Sequence, residues 1–188
     1  MIISSKLAKI DNQGFVENIR RISSPNFDSR PKNSKITLLV IHNISLPPNQ
    51  FGNTHIEDFF QNKLDARKHS YFETIKDLKV SCHFLIKRSG EAIQFVSCKD
   101  RAWHAGESIW KNKVECNNFS IGIELEGSDH RPFEKNQYMK LINLMRCLCN
   151  YYPITDIVGH EHIAPLRKTD PGPFFDWDLI KSEKIHEK

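Results

Sequence analysis

The stretch GHEHIAPLRKTDPGP, Gly159 to Pro173, gathers two histidines, an aspartate, two basic residues and three prolines in fifteen positions. Its proline content predicts a segment that is neither helix nor strand. Two apolar runs end in histidine: LLVIH at His42 and DIVGH at His160. A buried strand holds the side chain at its end in a defined place, which a metal site needs. Zinc takes imidazole nitrogen and carboxylate oxygen, and a catalytic zinc keeps three protein ligands and one open position. Asp170 lies ten residues after His160, and Pro171 behind it stiffens its backbone. His42, His160 and Asp170 therefore form a candidate set of two histidines and one carboxylate. His162 rivals His160, because in an extended segment positions 160 and 162 share a face. Spacing alone also allows a structural reading: a hydrogen-bonded histidine at a strand end, and TDPGP as a proline turn.

Three further positions suit the same chemistry. Glu124 sits in FSIGIELEG, on the polar side of an alternating strand. A carboxylate facing a metal acts as general base toward water; without a metal, Glu124 is a solvent-facing residue. Lys168 shares the loop of Asp170, where a fixed cation stabilises a developing oxyanion; the alternative is an exposed lysine. RAWHAGES places Trp103 and His104 before Ala105-Gly106, a flat apolar surface beside a backbone that a ligand can approach. His83 in SCHFLI reads as a strand residue, of the core or of a site wall.

The elements that must position these groups are legible. ITLLVIHNI (36–44) is β-branched and almost continuously apolar, which predicts a strand buried on both faces. THIEDFFQNKL predicts a helix opened by a capping box of Thr54 and Glu57. SCHFLIKR and EAIQFVSC flank Ser89-Gly90 and predict a β-hairpin. Residues 119–127 predict a strand with Ile121, Ile123 and Leu125 on one apolar face. Residues 134–152 carry apolar groups at helical spacing and stop at Pro153. DIVGH predicts a short strand and FFDWDLIKSEK a terminal helix, whereas SSPNFDSRPKNSK (23–35) reads as a loop. Interleaved strands and helices predict an α/β fold, one domain with a mixed central β-sheet flanked by helices. The expected division is an N-terminal extension packed on the domain (1–22), the domain itself (23–181) and a C-terminal tail (182–188).

At 188 residues the chain is long enough for one domain with its own core. Its net charge of +4 suits an anionic small ligand, and without a basic stripe interleaved with aromatics it argues against nucleic acid. No apolar run approaches the ~20 residues that span a bilayer, and none forms a signal peptide, so no membrane association is expected. Five cysteines with no C-x-x-C pair read as free thiols of a reducing compartment, hence a cytoplasmic protein.

Five motifs, LLVIHNISLPP, SCHFLIKRSGEAIQFV, RAWHAG, NNFSIGIELEG and GHEHIAPLRKTDPGP, occur in an order and at separations that resemble the AmpD-type amidases. These are zinc N-acetylmuramoyl-L-alanine amidases of peptidoglycan recycling, related to phage T7 lysozyme and the peptidoglycan recognition proteins. The resemblance runs from about Ser24 to about Trp177. It implies one zinc per chain on His42, His160 and Asp170, and selects His160 over His162. It implies Glu124 as catalytic acid/base and Lys168 as stabiliser of the transition state. It implies a small-molecule substrate, an anhydro-muropeptide cut between 1,6-anhydro-N-acetylmuramic acid and L-alanine, and no obligate protein partner. On this reading Asn43 orients substrate or a ligand, Trp103 and His104 line the cleft, and Arg167 meets a stem-peptide carboxylate as a bidentate donor. Lys79 stands where the resemblance leads one to expect a basic group, often arginine. Two other readings remain: a non-catalytic muropeptide sensor, and a phage-type endolysin acting on intact peptidoglycan.

Overall fold

Residues 36–44 are apolar on both faces because they form a strand flanked on both sides and covered on both faces. In the computed structural model, which describes residues 8–183, that run forms the third of ten strands. In chain order the elements are β1 (Arg20–Arg21), β2 (Phe27–Ser29), β3 (Leu38–Ile44), α1 (His55–Phe60), α2 (Ser70–Ile75), β4 (Phe84–Ile86), β5 (Ala92–Gln94), β6 (Asp100–Ala102), β7 (Ile109–Trp110), β8 (Lys113–Val114), β9 (Ser120–Glu126), α3 (Lys135–Tyr151), β10 (Asp156–Gly159), α4 (His160–Ile163) and α5 (Trp177–Ser182). Single 3₁₀ turns lie at Ala66–Lys68 and Cys116–Asn118. The ends of the expected extension and tail, residues 1–7 and 184–188, lie outside the described residues.

Six strands form a mixed sheet in the order β1-β5-β4-β9-β3-β10. β3 lies between β9 and the edge strand β10 and runs parallel to both; β4 and β5 make the expected antiparallel hairpin around Ser89-Gly90. Alternation along the strands sends the side chains to two different layers. Leu39, Ile41, Ile121, Ile123 and Leu125 pack beneath α3, with Leu141, Met145 and Leu148 of that helix. Leu38 and Val40 face the other way, toward Ala105, Cys116 and Ile163. His42 continues this second face, opposite the long helix, and lies in register with Glu124 on β9. Residues 8–22 add to the sheet: Ile10 and Val16 are buried in the α3-side core, the Val16 N–H donates to Gln94 Oε1, and β1 pairs with β5.

Four local expectations are revised. No side-chain cap forms at Thr54, because Glu57 is buried against Lys87 instead of turning back on the helix start. The 23–35 loop contains β2, which pairs with β6. β9 is buried on both faces, since the segment carrying His83 and His104 covers the side that the alternation assigned to solvent. The segment after β10 is a turn of helix, α4, and not an extended run. All five cysteines are free thiols, as expected.

The Glu57–Lys87 pair, at 2.9 Å and almost without exposure, tests the hairpin's anchorage. Lys87→Met is expected to destabilise the protein by about 3–5 kcal/mol in chemical denaturation, because it removes the partner of a buried carboxyl group. Adding Glu57→Leu to it should recover most of that loss.

Candidate metal centre

The site forms where the carboxyl ends of β3 and β10 meet the loop that returns after α4, the usual place for ligands in open α/β sheets. His42 is the fifth residue of β3, and His160 begins α4 directly after β10. The backbone N–H of Glu161 donates to the Asp170 carbonyl at 2.9 Å, so Asp170 is tied to the start of the same helix. Asn43 donates through Nδ2 to the Pro171 carbonyl (3.0 Å) and to Asp129 Oδ1 (2.7 Å), and Asp129 Oδ2 accepts from Thr169 Oγ1 (2.5 Å). Asn43 and Asp129 thus clamp the loop on both sides of Asp170. Gly172 permits that approach: its φ is +82°, and a side chain there would collide with Asp129.

Three candidate ligand atoms converge. His42 Nδ1 lies 3.0 Å from His160 Nδ1 and 2.9 Å from Asp170 Oδ2, and His160 Nδ1 lies 3.1 Å from that oxygen. Atoms bound at zinc distances of about 2.0–2.2 Å in a tetrahedron stand about 3.3 Å apart. The triangle is within a few tenths of an ångström of that spacing, so this donor set fits the ion. The outer nitrogens are also engaged: His160 Nε2 faces the Ala105 carbonyl at 2.9 Å, and His42 Nε2 faces His104 Nδ1 at 3.0 Å. Burial lowers the His42 pKa to about 4, and burial likewise holds His104 well below the ordinary range, so both rings are neutral at physiological pH. Burial alone would raise Asp170, but hydrogen bonds with His160 and His42 outweigh it and keep the carboxylate ionised. Neutral imidazoles and an ionised carboxylate are the forms that bind metal.

Glu124 is 9% exposed, and its Oε2 has no hydrogen-bond partner among the described residues. Burial pushes its carboxyl well above the usual range, the Asp170 charge adds to this, and Lys168 opposes it. A desolvated carboxyl beside a metal-type donor set can carry a proton in either direction. Lys168 joins Glu124 and the three candidate ligands in lining a cleft of about 350 Å³. One wall of the cleft is apolar, made by Leu46, Phe59, Phe60, Tyr71, Ile75 and Leu78.

The other sequence-predicted residues are placed differently. His162 points away: residues 160 and 162 leave one turn of helix on different sides, and the His162 ring packs edge-on against Trp177. His104 borders the cleft, but Trp103 is not among its lining residues, and its backbone N–H donates to Ser81 Oγ at 3.2 Å. Lys79 is exposed between Leu78 and Val80, which do line the cleft. Arg167 Nη2 donates to the carbonyls of Ala105 and Glu107, so that part of the guanidinium braces a loop and is unavailable as one arm of a fork. His83 is a core residue beneath the site: its Nδ1 accepts from the Gly122 N–H at 3.0 Å. Sequence reasoning missed Asp129, whose only signal is its place in EGSDH just beyond the Glu124 strand.

The chain matches the N-acetylmuramoyl-L-alanine amidase family (Amidase_2) over residues 32–173. It is 51% identical over 173 residues to the 1,6-anhydro-N-acetylmuramyl-L-alanine amidase AmpD of Haemophilus influenzae, spanning 90% of this chain and 94% of that protein. The crystal structure of a selenomethionine AmpD derivative superposes with a TM-score of 0.90 at 45% identity, over 93% of this chain and 98% of that one. AmiD of E. coli, in complex with the substrate anhydro-N-acetylmuramic acid-L-Ala-D-γ-Glu-L-Lys, superposes with a TM-score of 0.60 at 29% identity, over 95% and 66%. With the mixed sheet, the helices flanking it and the matched family all in agreement, the chain belongs to the N-acetylmuramoyl-L-alanine amidase family, and it is an amidase.

Proposed function

We propose that this amidase binds one zinc ion on His42, His160 and Asp170 and hydrolyses anhydro-muropeptides in the cytoplasm. The bond cleaved is the amide between 1,6-anhydro-N-acetylmuramic acid and L-alanine. The observation that carries the reading is the ligand triangle with Glu124 in register beside it, its Oε2 buried without a partner among the described residues. The substrate class follows from the relatives, which are named for the anhydro sugar. Residues 23–181 are the amidase domain, and residues 8–22 of the preceding extension pack on it.

Zinc, when bound, supplies a Lewis acid that polarises the amide carbonyl and makes water acidic near neutral pH. Glu124 accepts a proton from the attacking water and returns it to the alanine nitrogen as the C–N bond breaks. Its raised proton affinity suits the second half of that exchange. Lys168 offsets the negative charge that develops on the carbonyl oxygen. Asn43 keeps Asp170 in place through the Pro171 carbonyl, and the apolar wall takes the lactyl and acetamido methyl groups. Lys168→Ala should lower kcat by about 10²–10³-fold with zinc content unchanged, as read by steady-state kinetics and metal analysis on one sample.

The test of the whole reading is peptide release from purified anhydromuramyl-tripeptide, with zinc measured on the same protein. Rapid release that EDTA abolishes and zinc restores is the expected result. Zinc bound without release would make the chain a muropeptide sensor. Equal or faster release from intact peptidoglycan would make it an endolysin-type amidase.

A further inference from the structure

We propose that His104 is a positioning residue that fixes the tautomer of His42 in the zinc-loaded protein, on a seat that only glycine at position 122 provides. This rests on the zinc reading above. A neutral imidazole carries one proton, so His42 offers a lone pair at Nδ1 only when its proton is on Nε2. His160 meets that requirement directly: its Nε2 faces the Ala105 carbonyl, which can only accept. His42 faces instead another imidazole, His104 Nδ1, at 3.0 Å. That nitrogen accepts only when the His104 proton is on Nε2, where Ser120 Oγ stands at 3.2 Å. His42, His104 and Ser120 therefore form a relay in which each acceptor places the preceding proton. The ring is also held in position. A Cβ at Gly122 would lie 2.5–2.7 Å from Cγ, Nδ1 and Cδ2 of His104, so the imidazole occupies the space of the missing side chain. His83 secures the seat from below through the Gly122 N–H and meets the His104 ring edge-on at 5.7 Å.

The competing role for His104 is substrate contact, since it also borders the cleft. Competition with a chromophoric chelator, on purified wild type and variants, separates the two. His104→Leu is expected to weaken zinc binding by about 10–100-fold, the usual cost of losing a ligand's outer partner. His104→Asn, whose Oδ1 can accept in place of Nδ1, should recover part of that loss. Gly122→Ala, which keeps His104 but displaces its ring, should weaken zinc as His104→Leu does. In zinc-loaded wild type labelled with ¹⁵N-histidine, long-range proton–nitrogen correlations should show His104 protonated on Nε2 and bare at Nδ1. This readout stands even if a variant fails to fold. Unchanged zinc affinity in His104→Leu with a raised KM, or a proton on His104 Nδ1, would overturn the relay while leaving the zinc reading intact. Failure of the wild type to bind zinc would overturn both.

Discussion

Glu124→Gln is expected to lower kcat by about 10²–10⁴-fold and, at the same time, to make the metal-free protein more stable at neutral pH. Gln cannot take a proton from water or return one to nitrogen, yet it fills the same volume, so zinc content should stay near that of the unaltered chain. The stability gain follows from burial. The Glu124 carboxyl is desolvated and its Oε2 has no partner among the described residues, so the folded chain holds its proton more tightly than the unfolded chain does. The folded state is favoured fully below the unfolded-state pKa, and that advantage is lost as pH rises toward the raised folded value. At pH 7 the unfolded chain is ionised and folding works against it; the neutral amide removes that penalty. The gain should be about 1–3 kcal/mol, or several degrees in Tm at this chain length, and should vanish near pH 4. Thermal melts of EDTA-treated protein at pH 4 and pH 7 measure it. Full turnover in Glu124→Gln would remove Glu124 from the mechanism, whereas lost turnover with no pH-dependent gain would show that its carboxyl is not desolvated.

Asp170→Ala is the second large effect. It removes the only carboxylate of the ligand triangle and leaves His42 Nδ1 and His160 Nδ1 facing each other at 3.0 Å. Zinc affinity should fall by more than the 10–100-fold typical of losing an outer partner, and turnover should drop to that of EDTA-treated protein. His162→Ala is the control: its ring lies against Trp177, so zinc and turnover should stay close to those of the unaltered chain. Chelator competition and peptide-release assays on both variants decide the matter. Loss of zinc in His162→Ala with retention in Asp170→Ala would reverse the ligand assignment.

Much of the fold was legible because burial leaves a strong pattern. The run 36–44 had to be a two-sided strand, and the spacing in 134–152 had to be a helix against the sheet. Local signals failed where a distant partner competed. Glu57 left its capping role for Lys87, thirty residues away in the chain. The polar side of β9 looked solvent-facing because nothing in residues 119–127 announces that the 83–104 segment will cover it.

The candidate site divides in the same way. Sequence by itself determined the residue types and their carriers: histidines at the ends of two buried strands, and a carboxylate stiffened by proline. Their chemistry follows from composition and from strand geometry over a few residues. Tertiary structure alone decided which atoms meet. It turned His162 away through one turn of helix, moved Trp103 off the cleft, and tied Arg167 to the 105–107 backbone. It also brought Asp129, His104 and Gly122 to the metal-type centre from separate elements. Such placements depend on contacts between residues far apart in the chain, and periodicity, which records only which face is buried, carries no information about them.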